Sequence, residues 1–332
     1  MKILVIRVSA IGDVFLASGF AEYIKTIYPN STLHWLVEKR CSGVLKNNPF
    51  IDKIIPWERD KNTGLKGLFQ SAKSLEFEEK YDLVIDLQCL LKLFPLLCKI
   101  KYKNSIGTSE YEFPMNIFYK NIIQTKRFEP LKDKYLRIAE FLGYKGPALD
   151  PYPAYSKEDK AKADLFFKEN NLEKVVGCVF ATSRDHKYWA KDKWVELSKI
   201  LKEKNLKCML FGATSDQEYA DYLMENSDNF ISVVGKTSLL ESMAYLTNCK
   251  ALVSTDTAMM HFGSILNIPT VSLYGTNFFY SHHLGRENVE IIFKGDWNNK
   301  DQKVPNEVCK ANMDAISVED VLNALVKLKV IN

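Results

Sequence analysis

Short apolar runs, unbroken rather than alternating, recur along this chain, with longer amphipathic stretches between them. In the first half they are Ile3–Val8, Thr32–Val37, Lys53–Pro56 and Leu83–Leu87. In the second half they are Val175–Phe180, Lys207–Phe211, Ile231–Val234, Ala251–Ser254 and Thr270–Tyr274. A strand that is apolar at successive positions is buried on both faces, which implies a parallel sheet covered by helices. Helical patterns fall between the runs of the first half, at 13–28, 64–79, 90–100 and 130–142. In the second half, Ser156/Asp159, Ser215/Glu218, Ser238/Glu241 and Ser317/Asp320 have the Ser-x-x-acid spacing that caps free N–H groups at a helix start.

A length of 332 residues suits two such α/β domains. Gly143, Gly146, Pro147, Pro151 and Pro153 crowd one short segment, so we expect an N-terminal domain over 1–150 and a C-terminal domain over 151–332. Each is expected to be a Rossmann-like, doubly wound parallel sheet, the two facing across a cleft, with ligands outside the carboxyl ends of the strands. At 46% hydrophobic and 26% charged, the composition excludes a disordered, fibrous or disulfide-scaffold protein. Residues 1–150 hold 23 of the 45 Lys/Arg and 17 of the 41 Asp/Glu, so the basic excess lies in the N-terminal half. That favours an acidic partner, although a solvated surface reads the same way. No dense basic run or basic-aromatic stripe points to nucleic acid.

The seven cysteines are odd in number and contain no C-x-x-C pair, as expected of reduced thiols in a cytosolic protein. The first residues do not read as a signal peptide, because Arg7 and Asp13 interrupt the apolar stretch. The apolar segment near Leu90–Ile100 is broken by Lys92, Pro95 and Lys99 and is not expected to span a bilayer.

Three loops that follow strands concentrate the chemistry. Ser9-Ala10-Ile11-Gly12-Asp13 leaves the first strand without a G-x-G-x-x-G fingerprint. Its Asp13 is either an ordinary helix-capping aspartate or a group at the mouth of a site. Thr182-Ser183-Arg184-Asp185-His186-Lys187 gathers hydroxyls and cations suited to a diphosphate; a solvated polar loop over Trp189 is the plainer reading. Ser254-Thr255-Asp256-Thr257 precedes a helix whose free N–H groups form an anion site, with Asp256 or Thr257 as the cap. His261, one turn into that helix, is more simply a core histidine, and Met259 and Met260 are more simply packing residues. Asp86 and Gln88 end the fourth strand, where a polar substrate or an ordinary turn accounts for them. His282 and His283 have no partners at metal-ligand spacing, so no metal site is assigned.

Taken together, these segments resemble the lipopolysaccharide heptosyltransferase family, which has the GT-B architecture. The resemblance runs from Arg7–Val14 through Tyr81–Gln88 to Ser254–Thr257, His261, Pro269 and Leu273–Thr276. The block Ala181–Trp189 is its most specific part and is similar to the branch that adds the first heptose to the Kdo (3-deoxy-D-manno-octulosonic acid) of lipid A.

The resemblance implies an inverting transfer from ADP-heptose, a co-substrate, with no cofactor and no metal. Asp13 would be the general base. Lys187, Thr182 and Ser183 would hold the diphosphate, and Asp216 the ribose hydroxyls. Asp256 would order its loop, while the N–H groups of Thr257, Ala258 and Met259 cradle phosphate beside His261. The acceptor, Kdo-lipid A, would meet Ser9, Gly12 and Gln88, with Arg59, Lys61 and Lys92 as cationic contacts. The enzyme would work at the inner face of the cytoplasmic membrane as a peripheral protein. The nearest alternative keeps the fold and changes the sugar or the acceptor, as in a later core heptosyltransferase. The chain departs from the family pattern at Arg7 (usually Lys), Ala258 (Gly), Asp216 (Glu) and Cys89-Leu90 (Gly-Leu).

Overall fold

The nine apolar runs do pair as parallel strands, and the described residues form three more strands. In the computed structural model, residues 1–332 are described except 59–63, 74, 76, 78, 79, 127, 128, 183, 277, 278, 283 and 299–303, and at 64–66 and 281 only the backbone. The chain divides into two compact units, Met1–Ala154 and Tyr155–Asn332. The N-terminal unit holds β1 (Lys2–Ile6), β2 (Thr32–Glu38), β3 (Lys53–Trp57), β4 (Tyr81–Asp86), β5 (Tyr102–Thr108) and β6 (Asn121–Ile123). The C-terminal unit holds β7 (Val175–Val179), β8 (Lys207–Phe211), β9 (Phe230–Ser232), β10 (Ala251–Thr255), β11 (Thr270–Tyr274) and β12 (Val289–Phe293).

The sheet orders are β3-β2-β1-β4-β5-β6 and β12-β11-β10-β7-β8-β9, every pairing parallel. Each unit winds outward from its first strand in one direction, then restarts on the other side of it. The direction reverses between β1 and β4, and again between β7 and β10. Loops leaving adjacent strands diverge there, which makes these the two switch points where doubly wound sheets bind ligands.

The sequence pattern misses β5, β6 and β12. β5 has exposed Lys103 and Asn104 as its second and third residues, β6 has three residues, and β12 is an edge strand with a half-buried middle. None of them reads as a continuous apolar run.

Several helices are shorter than the pattern suggests. The 13–28 stretch is two helices, Ile11–Ala17 and Phe20–Ile27. A Cβ at Gly19 would overlap the Asp150 carbonyl, and the Ser18 hydroxyl accepts the Tyr152 N–H at 2.8 Å. The chain bends there to seat the 147–154 segment. The 64–79 helix ends at Lys73, and 90–100 is a 3-10 turn at Leu91–Leu93 followed by the short helix Phe94–Leu97, with Pro95 in its first turn. The expected 130–142 helix spans Leu131–Phe141.

Three capping boxes form as expected, at Ser156/Asp159, Ser238/Glu241 and Ser317/Asp320. The Ser215/Glu218 box does not. There the Asp216 carboxylate accepts the Ala213 N–H at 2.7 Å, so the turn starts two residues earlier.

The Gly/Pro-rich segment is fastened to the N-terminal unit rather than free. Leu149 N–H donates to the Tyr23 hydroxyl at 2.6 Å, and Asn47 Nδ2 to the Ala154 carbonyl at 2.7 Å. This moves the boundary from 150 to 154. In the C-terminal core, Trp189 is fully buried edge-on against Trp194, and its indole N–H donates to the Ile316 carbonyl at 2.9 Å. That anchors the loop which follows β7. All seven cysteines are free thiols, buried except Cys98. Among the described residues no helix is long and apolar enough to cross a membrane.

Candidate active site

The N-terminal switch point is built around the turn from β1 into the helix Ile11–Ala17. Asp13 lies in the first turn of that helix, and its Oδ2 accepts the Ala10 N–H at 3.2 Å. The same oxygen pairs with Arg7 NH2 at 2.8 Å. Asp13 is therefore held by both ends of its own turn, with a quarter of its side chain exposed (26%) against 10% for Arg7. Burial opposes the Arg7 charge, but Tyr135 and Asp13 outweigh it and raise the guanidinium above its usual range. A second guanidinium nitrogen donates to the Leu87 carbonyl at 3.2 Å, tying β1 to the end of β4.

Gln88 closes the turn from the β4 side. Its Oε1 accepts from Val8 N–H at 3.0 Å and Ser9 N–H at 3.4 Å, while its Nε2 donates to the Ser9 carbonyl at 2.7 Å. This amide reads backbone on three sides and so fixes the Ser9–Asp13 loop. Asp86 is fully buried and accepts from Gln88 N–H, Cys89 N–H and the Tyr119 hydroxyl at 2.7–2.8 Å. Burial still raises its carboxyl above the usual range. Cys89 stands where the family resemblance expects glycine, and its φ of 54 explains why glycine suits the position.

Lys92 turns inward. Its ammonium donates to the Ser9 hydroxyl at 2.6 Å and pairs with Glu38 at 3.1 Å; Glu38 also pairs with Arg40 at 2.8 Å. Burial opposes ionisation of Glu38, but Arg40 and Lys92 outweigh it and hold the carboxyl below its usual value. Such a group stabilises the fold above its unfolded value of about 4.3, and the contribution is lost as pH falls through the lower folded value. Glu38→Gln is thus expected to destabilise at neutral pH by up to about 3–5 kcal/mol, the limit for a broken buried pair. Thermal unfolding across about pH 3 to 6 should show the wild-type advantage shrinking toward acid. An advantage independent of pH would contradict the assignment. Gly12 occupies the first turn of the helix, and Arg59 and Lys61 lie outside the described residues.

The C-terminal switch point brings together the other two loops. Lys187, in a 3-10 turn after β7, forms an ion pair with Asp256 after β10, with 15% and 18% of the side chains exposed. The Thr255 hydroxyl reaches the Val179 and Ala181 carbonyls, both at 3.2 Å, and pins the two strand ends together. The helix Ala258–Ile265 starts here with Thr257 extended at its N-cap and no side-chain cap bond. Neither Asp256 nor Thr257 takes the capping role expected from the sequence, because Asp256 is drawn to Lys187 and the Thr257 hydroxyl lies 3.3 Å from that of Ser254. The N–H groups of Thr257, Ala258 and Met259 stand at the positive end of that helix, beside a lysine, a suitable arrangement for a phosphate.

His261 is buried and stacks on His282 with ring centroids 6.3 Å apart, while Met259 and Met260 are buried. Thr182 is half-buried in the same loop as Lys187, and Ser183 and His283 lie outside the described residues. Asp216 faces its own turn after β8, with its Oδ1 3.4 Å from the Ser215 hydroxyl. Among the described residues no three His, Cys, Asp or Glu side chains gather as metal ligands would. Sequence reading passed over Glu38 and gave Arg7 no role. Both act through partners distant in the chain or across an element boundary, where no fixed spacing signals a pair.

Residues 69–311 match the family described as glycosyltransferase family 9 (heptosyltransferase). Lipopolysaccharide heptosyltransferase 1 of Campylobacter coli is 26% identical over 316 residues, 89% of this chain and 90% of the relative. Lipooligosaccharide heptosyltransferase 2 of Haemophilus ducreyi is 27% identical over 315 residues, 88% of each chain. The solved structure of the E. coli ADP-heptose lipopolysaccharide heptosyltransferase II superposes with a TM-score of 0.77 at 22% identity, covering 99% of this chain and 98% of that one. The parallel sheets, their matching winding and these neighbours define a GT-B fold, and the chain belongs to glycosyltransferase family 9, the heptosyltransferases of the lipopolysaccharide core.

Proposed function

We propose that this heptosyltransferase moves L-glycero-D-manno-heptose from ADP-heptose to the Kdo of the lipid A inner core, with inversion at the anomeric carbon. The observation that carries the reading is the pairing of site types. One switch point holds an oriented carboxylate, Asp13; the other holds a cation, Lys187, beside a helix N-terminus. The first suits removal of a proton from an acceptor hydroxyl, and the second suits a departing diphosphate.

In this mechanism Asp13 takes the hydroxyl proton while the acceptor oxygen forms its bond to the anomeric carbon. The bond from that carbon to the ADP oxygen breaks on the opposite face. Charge growing on the leaving phosphate meets Lys187 and the N–H groups of Thr257, Ala258 and Met259. These fixed positive groups supply what a metal supplies elsewhere, and we propose that the reaction is metal-independent. Thr182 and Ser183 add hydrogen bonds to the diphosphate, Asp216 takes the ribose hydroxyls, and His261 supports the donor loop. Ser9, Gly12, Gln88 and Lys92, with Arg59 and Lys61, form the acceptor side. The basic excess of the N-terminal half suits an anionic, lipid-anchored acceptor at the inner face of the cytoplasmic membrane.

A second reading, transfer to an acceptor already bearing one heptose, has its own support in the type 2 relative at 27% identity. Competition between Kdo-lipid A and its mono-heptosylated form, with chelator present, separates the two. Preferential consumption of Kdo-lipid A is expected. Preference for the heptosylated form would assign the later step, and loss of transfer on chelation would contradict metal independence.

A further inference from the structure

Four buried side-chain polar atoms among the described residues of the C-terminal unit have no hydrogen-bond partner: Trp194 Nε1, Ser264 Oγ, Ser272 Oγ and Thr276 Oγ1. Trp194, Ser264 and Ser272 lie within a helix or strand, where neighbouring packing encloses them. Thr276 differs, because it sits two residues beyond the carboxyl end of β11 and is only 4% exposed. A buried hydroxyl without a partner costs the folded state a hydrogen bond. At a strand end of a doubly wound sheet, that cost points to a ligand.

The surroundings place Thr276 beside the donor loops. Thr255 of β10 is in register with Leu273 of β11, so the chain beyond β11 runs next to Asp256, Thr257 and the first turn of the helix Ala258–Ile265. The preceding residue, Gly275, is held by Asn312, whose Nδ2 donates to its carbonyl at 2.9 Å, and a Cβ there would overlap Cys309. Cys309 in turn donates its thiol to the His186 carbonyl at 3.5 Å, one residue before Lys187. One helix, Asn306–Ala315, thus supports both Thr276 and the lysine loop.

We propose that Thr276 is a donor-site residue whose hydroxyl binds the diphosphate of the nucleotide-sugar, alongside Lys187 and the helix N-terminus. The assignment rests on the donor reading given above. A turn of about 120° around χ1 carries the hydroxyl to the place the methyl holds and the methyl to that of Hβ, so the hydroxyl meets an incoming anion without a backbone change.

The test compares Thr276→Val and Thr276→Ser with wild type by calorimetric titration of ADP and of pyrophosphate, and by thermal unfolding without ligand. Thr276→Val replaces an unpartnered hydroxyl by a methyl of the same shape, so its unfolding temperature should equal or exceed that of wild type. Its affinity for ADP should fall about tenfold, the range of one hydrogen bond to a charged group. Thr276→Ser, which keeps the hydroxyl, should stay within about twofold of wild type.

ADP affinity of Thr276→Val within that twofold range would overturn the proposal. So would a lowered unfolding temperature in Thr276→Val, which would mark a structural role, or an equal loss of affinity in Thr276→Ser. If wild type binds pyrophosphate but not ADP, the nucleoside part of the donor reading fails and Thr276 is judged on pyrophosphate alone. Binding of neither by wild type would overturn both.

Discussion

Asp13→Asn is expected to lower turnover about 10²–10⁴-fold, the usual worth of a general base, while ADP still binds with wild-type affinity. The amide keeps the size of the side chain and still accepts the Ala10 N–H, so the turn into the helix Ile11–Ala17 is preserved. What is lost is the charge that balances Arg7 and that we propose takes the acceptor proton. Part of the effect will be a stability cost, since Arg7 is nearly buried and loses its ionic partner. That cost falls below the about 3–5 kcal/mol of a fully buried pair, because Asp13 is 26% exposed. Steady-state kinetics at saturating donor and acceptor, with ADP titrations and unfolding curves for the same preparation, separate the two contributions. Turnover within a few-fold of wild type would remove Asp13 from the chemistry.

Lys187→Met should affect both binding and catalysis. The substitution removes the cation beside the helix N-terminus and leaves the Asp256 carboxylate without that partner at the place proposed for the phosphate. A turnover loss of about 10²–10³-fold is expected, as when one group stabilising transition-state charge is deleted. A loss of about tenfold or more in ADP affinity should accompany it, in line with one charge-assisted hydrogen bond. The two variants are therefore distinguishable: Asp13→Asn loses turnover alone, and Lys187→Met loses turnover and donor affinity together. Lys187→Arg keeps the charge with different geometry and should recover part of the binding and less of the rate. Wild-type ADP affinity in Lys187→Met would exclude contact with the diphosphate.

Much of the architecture is legible in the chain because parallel strands buried on both faces write themselves as unbroken apolar runs. Ile3–Ile6 and Val175–Val179 are such runs, and each proved to be the central strand beside its unit's switch point. Once those strands are located, the loops after them are the places to look, which brings Asp13 and Lys187 forward as candidates, while their roles come from the family resemblance. The edges were not legible, since β6 and β12 gain their strand character from a neighbour rather than from their own residues.

The break at Gly19 was equally hidden, because the residue that crowds it, Asp150, is remote in sequence. The same holds for Glu38, whose partners Lys92 and Arg40 meet it only once β2 is laid in the sheet. Lys92 is expected from the resemblance as a cationic contact for the acceptor, and in the structure its ammonium donates to the Ser9 hydroxyl and pairs with Glu38. Asp216 shows how one motif replaces another: a serine at the right spacing predicts a box with Glu218, yet Asp216 reaches back to Ala213 first. Asp13 makes the equivalent contact with Ala10 in the N-terminal unit, three residues back as in the Asp216 turn.

Mass spectrometry of a single reaction, wild-type protein with ADP-heptose and Kdo-bearing lipid A, tests the central claim most directly. A product heavier by one heptose, appearing with release of ADP, is the predicted result. An unchanged acceptor, with intact donor and a cooperative unfolding transition for the same protein sample, would contradict the assigned donor and acceptor.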